Sequence, residues 1–296
     1  MRRTDLSDAD CAIAQSLDVV GDWWTLLVLR DVARGVHRFD ALQAELGLSR
    51  KVLAERLRRL VEHEVLRRER YHEHPPRHEY RLTDRGRGLL PVLIALQDWG
   101  STWLLGDGTL SATSAPESAE ARRVRDLVGT RVPELLLPAA DNTRRDPVAG
   151  SAHTVLYFFP GAGNAPPGWD RIPGAPGCTL EACAYRDRHA EFAARDATVH
   201  GVSTQRLDEL AAFRAAESLP FPLFSDAELS LVAALRLPTF RAAGAHRLKR
   251  LTLVVDRDRV VRAALYPIPD PAGSVDEVLA LLDLWHSGAD AAFREL

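Results

Sequence analysis

The sequence is poor in the residues that mark several protein classes. Of its 296 residues only three are cysteine and one is methionine, which excludes a disulfide-stapled scaffold and a core rich in oxidisable thioethers. The longest apolar runs, such as Leu89 to Leu96, are far too short to cross a bilayer, and no charged-then-apolar leader precedes Ser7. We therefore expect a cytoplasmic protein that makes no membrane contact and keeps its thiols reduced.

Lysine is scarce as well. The formal net charge is −3, and only Lys51 and Lys249 are lysine, so the basic residues are almost all arginine. A generally basic protein is excluded, and any surface for nucleic acid has to be a local patch. The length predicts two domains, and a hydrophobic share of 46% with a charged share of 27% is ordinary for a folded globular chain.

Residues 39–64 have the spacing of a helix-turn-helix. Phe39 to Leu46 is predicted to form a short amphipathic helix, Gly47-Leu48 a turn, and Ser49 the cap of a second helix that ends near Glu64. The N-terminal residues of the second helix would contact base edges, and its basic residues would contact phosphates. The candidate DNA-contacting residues of this helix are Ser49, Arg50, Lys51, Arg56, Arg58 and Arg59.

The basic patch continues into a predicted wing. Leu66 to Tyr71 and Glu79 to Leu82 are predicted to be strands, and the basic turn between them adds His74 and Arg77 as candidate DNA contacts. From Ser49 to Arg81, ten lysines and arginines face six glutamates, a local net charge of +4 in an acidic protein. The alternative is a solvated helix and hairpin, which a run of charges also fits.

Several motifs follow one another in the same part of the chain. They are Cys11, Gly21-Asp-Trp-Trp-Thr25, Arg38-Phe-Asp-Ala-Leu42, Ser49-Arg-Lys-Val-Leu-Ala-Glu-Arg-Leu57, Pro75-Pro-Arg-His-Glu-Tyr80 and Leu82-Thr-Asp-Arg-Gly86. On these motifs, Cys11 to Gly100 resembles the HxlR-type winged-helix regulators. The resemblance implies an α+β winged-helix domain over residues 1–105 and a homodimer on double-stranded DNA, with the helices of Asp84 to Leu105 packing the dimer. Cys11 matches the position that several redox-responsive members use as a sensor thiol; a packed small side chain is the alternative.

A turn-rich stretch separates this part from the rest. Gly106 to Glu117 is small and polar, which predicts an interdomain linker over residues 106–130, with a surface helix at Ser118 to Val128. Strands and helices alternate from 131 to 288, which predicts an α/β fold around a central sheet, and a tail follows at 289–296.

Two of the three cysteines lie five residues apart in this second part. Thr154 to Phe159 is predicted to be a buried strand, and a Pro/Gly-rich loop leads from it to Cys178 at the start of a helix. The free N–H groups and dipole of a helix N-terminus favour an anion, so we expect a lowered thiol pKa and a nucleophilic thiolate. A buried, inert cysteine is the alternative. The spacing to Cys183 does not fit C-x-x-C or a zinc ribbon, so we expect no metal and no cofactor.

The helix itself keeps these two cysteines apart. Residues five apart on an α-helix have Cα atoms roughly 8 to 9 Å apart, whereas a disulfide needs about 4.4 to 6.8 Å. A disulfide between Cys178 and Cys183 therefore requires the first turns of the helix to unwind, which would turn oxidation into a local order-to-disorder change.

The residues around the pair resemble a second family. Pro176-Gly-Cys-Thr-Leu-Glu-Ala-Cys183, preceded by Tyr157-Phe-Phe-Pro160, resembles the Q-type (bacterioferritin-comigratory) peroxiredoxins, and the likeness runs from about Arg131 to Leu284. It implies a thioredoxin fold, a peroxidatic Cys178, a resolving Cys183 and an Arg250 that holds thiolate and peroxide. The sequence departs from the family at Ala175, where a threonine is usual, and in an insertion at residues 161–175. Both departures weigh against peroxide turnover more than against thiol oxidation.

Three functions follow from these patterns. The leading hypothesis is a redox-responsive DNA-binding regulator in which peroxide drives formation of the Cys178–Cys183 disulfide. The second is a thiol peroxidase that reduces peroxides with a thioredoxin-like reductant and is joined to a DNA-binding dimer module. The third is a thioredoxin-like domain that binds a ligand or partner through the loop around Trp169, with incidental cysteines.

Overall fold

The computed structural model describes residues 11–74, 76–163 and 166–286. The predicted tail at 289–296 lies outside these residues, as does the start of the chain for which no leader is predicted. Internal contacts divide the chain into two units, Met1–Ala95 and Leu96–Leu296.

The first unit is a helical domain with one hairpin. Its core is formed by buried leucines of three helices, among them Leu29, Leu42, Leu53 and Leu57. The two strands pair antiparallel, with Leu66 opposite Leu82. In chain order the elements are α1 (Ala12–Val20), α2 (Trp23–Ala33), α3 (Phe39–Leu46), α4 (Arg50–Glu62), β1 (Leu66–His72), β2 (Arg77–Leu82), α5 (Asp84–Arg87) and α6 (Leu90–Trp103), which runs on into the second unit.

Local sequence signals set the turn between α3 and α4. Gly47 has a φ of 62°, a left-handed conformation that ends α3 at little cost because glycine has no Cβ. The hydroxyl of Ser49 accepts a hydrogen bond from the N–H of Val52 at 3.3 Å and caps α4. The predicted helix-turn-helix and its wing are therefore confirmed.

The second unit is an α/β domain around a five-stranded sheet in the order β11-β10-β5-β6-β7. The strands β5, β6 and β7 are parallel, while β10 runs antiparallel to β5 and β11. The elements are α7 (Ala119–Arg125), β3 (Leu137–Pro138), β4 (Arg144–Arg145), β5 (His153–Phe158), α8 (Cys178–Asp187), α9 (His189–Ala194), β6 (Ala197–Ser203), α10 (Leu207–Ala216), β7 (Leu223–Ser225), α11 (Ser230–Leu235), β8 (Thr239–Ala242), β9 (Ala245–Leu248), β10 (Leu251–Asp256), β11 (Val261–Leu265) and α12 (Gly273–His286).

An aromatic core joins the sheet to the helices that cover it. The ring of Tyr157 on β5 stacks on that of Tyr185 on α8, with centroids 4.7 Å apart, and Tyr185 in turn lies 5.6 Å from Phe192. All three side chains are fully buried. This packing fixes α8 beyond the carboxyl end of β5, the edge where open α/β sheets commonly place their chemistry.

The stretch predicted to be an interdomain linker is partly packed within the second unit. Ala112 is fully buried and its N–H donates to the carbonyl of Pro173 at 2.8 Å. The following helix α7 buries Ala121 and Val124, and its Glu120 pairs with Lys249 at 2.9 Å. The linker was predicted from its small, polar composition. Such a composition does not exclude burial, because a small residue such as alanine fits into a close-packed contact as well as into an exposed linker.

No single helix in the described ranges is long and apolar enough to cross a membrane. Helices α1 and α2 are long and apolar enough only when they are counted together, and the chain bends by 74° between them.

Candidate functional site

Cys178 is the first residue of α8, and its side chain is buried. Its Sγ lies 3.3 Å from Nη2 of Arg250, which donates to the sulfur, and 3.6 Å from the carbonyl oxygen of Ala175. The backbone N–H of Gly161, just beyond β5, also faces the sulfur. The thiol therefore meets a guanidinium and a backbone donor in a pocket that solvent barely reaches, since only 4% of the residue is exposed.

Burial raises the pKa of the Cys178 thiol above its ordinary value. The charge of Arg250 is the largest opposing influence, and the N–H of Gly161 adds to it, while Glu181 acts in the same direction as burial. The prediction of a lowered pKa was therefore wrong, because desolvation of the sulfur outweighs the helix N-terminus and the guanidinium. Formation of the thiolate depends on keeping Arg250 in place.

Arg250 lies directly before β10 and is held from several sides. Its Nη2 donates to the carbonyl of Pro176 at 2.9 Å and to that of Ala175 at 3.4 Å, while Nη1 pairs with the carboxylate of Glu181. Only 2% of the residue is exposed. The structure thus brings Arg250 and Cys178 together, and the fixed guanidinium is suited to stabilise negative charge on sulfur or on a peroxide oxygen.

Glu181 is a site residue that sequence reasoning missed. It lies on α8, three residues after Cys178, so both side chains share one face of the helix. Burial raises its pKa to about 7, although Arg250 opposes this shift. Its Oε1 has no hydrogen-bond partner among the described residues. The signal in the sequence was its i, i+3 spacing from the cysteine. Because its carboxylate pairs with Arg250, Glu181 offsets part of the effect of the guanidinium charge on the pKa of Cys178.

Cys183 lies further along α8 and is half-buried. Its Sγ donates to Oε2 of Glu217 at 3.4 Å. Partial burial and this hydrogen bond both raise the pKa of its thiol. Cys178 and Cys183 are both free thiols on one continuous helix, so the structure does not bring their sulfurs to bonding distance, as the helical spacing predicts.

The candidate DNA contacts on α4 divide into two groups. Arg50, Lys51 and Arg58 are exposed, while Ser49 caps the helix. Arg50 makes a solvent-exposed pair with Asp40 at 3.2 Å. Exposed basic side chains at the start and along one face of this helix are free to meet phosphates and bases.

Arg56 and Arg59 form the second group, because both are paired with acidic side chains of the same domain. Arg56 donates to the carboxylate of Asp22 at 3.0 Å, and its side chain is only 18% exposed. Arg59 pairs with Asp18 at 3.1 Å. Arg56 follows the buried Leu53 by three residues, so the helical period turns it toward the protein. These two arginines tie α4 to α1 and α2, and their contact with DNA stays a prediction.

The wing carries the remaining candidates. His74 and Arg77 are exposed at the end of the hairpin. Tyr71 is 41% exposed, and the guanidinium of Arg38 lies 4.5 Å from its ring centroid. The hairpin therefore presents basic and aromatic groups to solvent at its tip.

Cys11 lies just before α1 and is half-buried. It occupies the N-cap position, and its side chain makes no capping hydrogen bond. A sensor thiol and a packed side chain both stay predictions for this residue. Among the described residues, no group of three or more His, Cys, Asp or Glu is arranged to hold a metal ion.

Comparison with protein families also divides the chain into two parts, although its first part runs twelve residues past the boundary set by internal contacts. The HxlR-like helix-turn-helix family matches residues 19–107, and the AhpC/TSA family matches residues 128–264. An HTH-type transcriptional regulator of Synechocystis is 45% identical over 95 residues, which are 32% of this chain and 70% of the relative. A Mycobacterium tuberculosis protein named as a peroxiredoxin is 31% identical over 150 residues, 47% of this chain and 85% of the relative. The chain belongs to both families.

Two further proteins are similar to parts of this chain. An HTH-type regulator of Mycobacterium tuberculosis is 44% identical over 93 residues, which are 31% of this chain; the chain spans only 59% of that regulator's length. The crystal structure of peroxidoxin BcpB from Mycobacterium tuberculosis is 30% identical and covers 53% of this chain and 96% of its own, with a TM-score of 0.46. The two curated relatives described first show that the HxlR-like part and the AhpC/TSA part of this chain are each similar to a separate protein.

Ala175, where the sequence is expected to depart from the family pattern, lies in the loop before α8. This residue is fully buried and packs with Ala112, Trp169, Phe240 and Ala242. Its side chain is therefore part of a small apolar cluster, while its carbonyl faces the thiol. Trp169 and Ala175, which belong to the predicted insertion, are thus packed against the domain beside the cysteine pocket.

Proposed function

We propose that this protein is a peroxide-responsive, DNA-binding transcription regulator whose sensor is the Cys178–Cys183 pair. The observation that carries the proposal is the 3.3 Å contact between Arg250 Nη2 and Cys178 Sγ in an AhpC/TSA domain joined to an HxlR-like helix-turn-helix. The contact supports reaction of the sulfur with an oxidant, and the helix-turn-helix supports a readout on DNA.

The proposed chemistry takes two steps. The Cys178 thiolate attacks one oxygen of a hydroperoxide, the O–O bond breaks, and the departing alkoxide or hydroxide takes up a proton, which leaves a sulfenic acid on Cys178. The Cys183 thiolate then attacks this sulfur and displaces hydroxide, which leaves as water once protonated, and a disulfide results. The peroxide is reduced by two electrons, which come from the two thiols. Arg250 stabilises the thiolate before the first step and the departing oxyanion during it.

The second step changes α8. The two Cα atoms are roughly 8 to 9 Å apart on an intact helix, so the disulfide forms only when the first turns of α8 unwind. Unwinding moves Glu181 away from Arg250 and Cys183 away from Glu217, so two buried or half-buried contacts are lost with it. Oxidised protein therefore differs from reduced protein in the order of residues around the pocket, which a regulator needs if its two states are to bind DNA differently.

The proposed partners are double-stranded DNA and a second copy of the chain. The exposed basic residues of α4 and of the wing supply phosphate and base contacts. The helix α6 carries exposed apolar side chains that a partner could cover, since Trp99 is 55% exposed and Trp103 62%. A two-fold homodimer would present two α4 helices to two-fold-related half-sites.

A thiol peroxidase is the second candidate function. It shares the Cys178–Arg250 contact, and an exposed apolar side chain near the thiol favours it: Leu180, two residues after Cys178, is 58% exposed and offers a surface to a thioredoxin-like reductant. A slow peroxidase also senses peroxide, so the two functions are compatible.

A mobility-shift assay on DNA from the protein's own promoter region tests the proposal. Thiol-reduced protein, peroxide-treated protein and peroxide-treated Cys178→Ser protein are compared at one salt concentration, with Cys11→Ser as the control for the third thiol. We expect peroxide to change the shift of wild type and of Cys11→Ser but not of Cys178→Ser. Equal binding by reduced and oxidised wild type contradicts the regulator, and continuous peroxide consumption with thioredoxin then identifies the peroxidase.

A further inference from the structure

A short segment of the second unit lies against the loop that precedes Cys178. We call this segment, residues 111–113, the strap. The N–H of Ala112 donates to the carbonyl of Pro173 at 2.8 Å, and the Ser111 hydroxyl approaches the same oxygen at 3.5 Å. Nζ of Lys249 donates to the carbonyl of Thr113 at 3.3 Å. The strap is thus bonded both to the loop before Cys178 and to the residue before Arg250.

The strap also packs closely on this loop. Ala112 and Ala175 are both fully buried in one apolar cluster. Gly174 has a φ of +79°, and a Cβ added there would lie 2.7 Å from the Cβ of Thr113 and 3.1 Å from the carbonyl carbon of Ala112. Such distances leave no room for a methyl group, so the loop and the strap fit each other only as long as residue 174 is glycine.

Ala175 links the strap to the chemistry. Its side chain packs beside Ala112, while its carbonyl oxygen lies 3.6 Å from Cys178 Sγ and accepts a hydrogen bond from Arg250 at 3.4 Å. The carbonyl of Pro176, the next residue, accepts from the same guanidinium at 2.9 Å. Any displacement of the strap therefore moves two of the acceptors that orient Arg250 toward the sulfur.

We propose that the strap is a positioning element for the Cys178–Arg250 pair, and that formation of the Cys178–Cys183 disulfide releases it. The first half concerns the reduced protein alone; the second half rests on the proposed function. The packing of Ala112 against Ala175 holds this part of the loop in place. Burial raises the pKa of Cys178 and the charge of Arg250 lowers it. A guanidinium displaced from the sulfur therefore leaves the thiol with a higher pKa.

Release follows from the short chain between the two sites. Pro173 is followed by four residues before α8 begins, so unwinding of the start of α8 pulls on the carbonyl that holds Ala112. The strap lies between α6 and α7 in the chain. When its hydrogen bond to Pro173 breaks, a longer segment after α6 is no longer bonded to the rest of the second unit. The redox state of the thiol thereby changes how tightly the chain beyond α6 is held.

Two glycine variants test the positioning. Gly174→Ala meets Thr113, whereas Gly168→Ala has the same φ of +79° and nothing within 4 Å of the added Cβ, so it imposes the same backbone strain without touching the strap. The readout is the pH profile of alkylation of Cys178 in reduced protein that carries Cys11→Ser and Cys183→Ser. We expect Gly174→Ala to move the midpoint to higher pH by about one unit, a tenfold loss of thiolate at a fixed lower pH, and Gly168→Ala to leave it unchanged.

The rescue variant separates positioning from general damage. Adding Thr113→Gly to Gly174→Ala removes the side chain that the new methyl group meets, and the midpoint should return toward that of the parent. Equal midpoints for Gly174→Ala and Gly168→Ala overturn the positioning role, whether both are shifted or neither is.

Hydrogen exchange at the Ala112 amide tests the release without any variant in the strap. Its bond to Pro173 protects it in reduced protein, and we expect peroxide to remove this protection in wild type but not in Cys183→Ser, which forms no disulfide with Cys178. If the disulfide forms and the protection stays, the release is overturned while the proposed sensor stands. If no disulfide forms, the proposed sensor and the release fail together, and the pH profiles still decide the positioning role.

Discussion

Replacing Glu181 by glutamine should remove a pH dependence from the stability of the second unit. Burial raises the pKa of this carboxyl from its ordinary 4.5 to about 7. Because the pKa is higher in the folded protein, between pH 4.5 and pH 7 the folded protein keeps a proton on Glu181 that the unfolded chain has released. The stability contribution is fully present below pH 4.5 and is lost as the pH rises through 7. A gap of this size corresponds to about 3 kcal/mol.

The variant is well matched in shape. A glutamine keeps an oxygen that accepts from Nη1 of Arg250 and cannot ionise, so packing is conserved while the titration disappears. The free energy of unfolding is measured at pH 5 and pH 8 by pulse proteolysis across a urea series, following the fragment of the second unit. Asp226 also has a pKa raised to about 7 by burial, and it titrates in both proteins, so only the difference between wild type and Glu181→Gln is informative.

We expect wild type to lose about 2.5 kcal/mol more than Glu181→Gln between these two pH values, since part of the full gap lies below pH 5. An equal loss in the two proteins refutes the reasoning, because it means that Glu181 does not carry a raised pKa in the folded state. The same variant should lower the pKa of Cys178, since it removes a negative charge that acts on the sulfur.

Three further outcomes are expected. Arg250→Met should slow oxidation of Cys178 by peroxide at least about tenfold in stopped flow, and an unchanged rate would contradict its role. Lys51→Ala should weaken DNA binding and reduce the salt slope of the DNA affinity by about one. Arg56→Ala should instead cost about 1 kcal/mol of stability in urea unfolding and leave this salt slope unchanged. An equal reduction of the salt slope in both variants would indicate that Arg56 also contacts DNA. Trp99→Asp should convert a dimer to a monomer in sedimentation, and an unaffected dimer would place the interface elsewhere.

Features set by local sequence could be predicted. The turn at Gly47, the Ser49 cap and the position of Cys178 at a helix start depend on residues within a few positions of each other, and all are present in the structure. The contact of Arg250 with the thiol joins residues far apart in the chain, and only the resemblance to a family indicated it.

Features set by burial could not be predicted in the same way. The direction of the Cys178 pKa depends on how completely the sulfur is desolvated, which the surrounding core decides. Arg56 was predicted to contact DNA because its charge is visible in the sequence, while its orientation toward Asp22 depends on the packing of α4. The burial of Glu181 and of Ala112 was missed because neither residue type indicates which distant part of the chain it packs against.

The near-complete enclosure of Cys178 acts as a size filter. With 4% of the residue exposed, the sulfur admits an oxidant of a few atoms, while a tripeptide disulfide such as oxidised glutathione is too bulky to reach it without local opening. If the proposed sensor is right, Cys178 should react directly with small diffusible peroxides, whereas disulfides of the cellular thiol pool should reach it only after local opening.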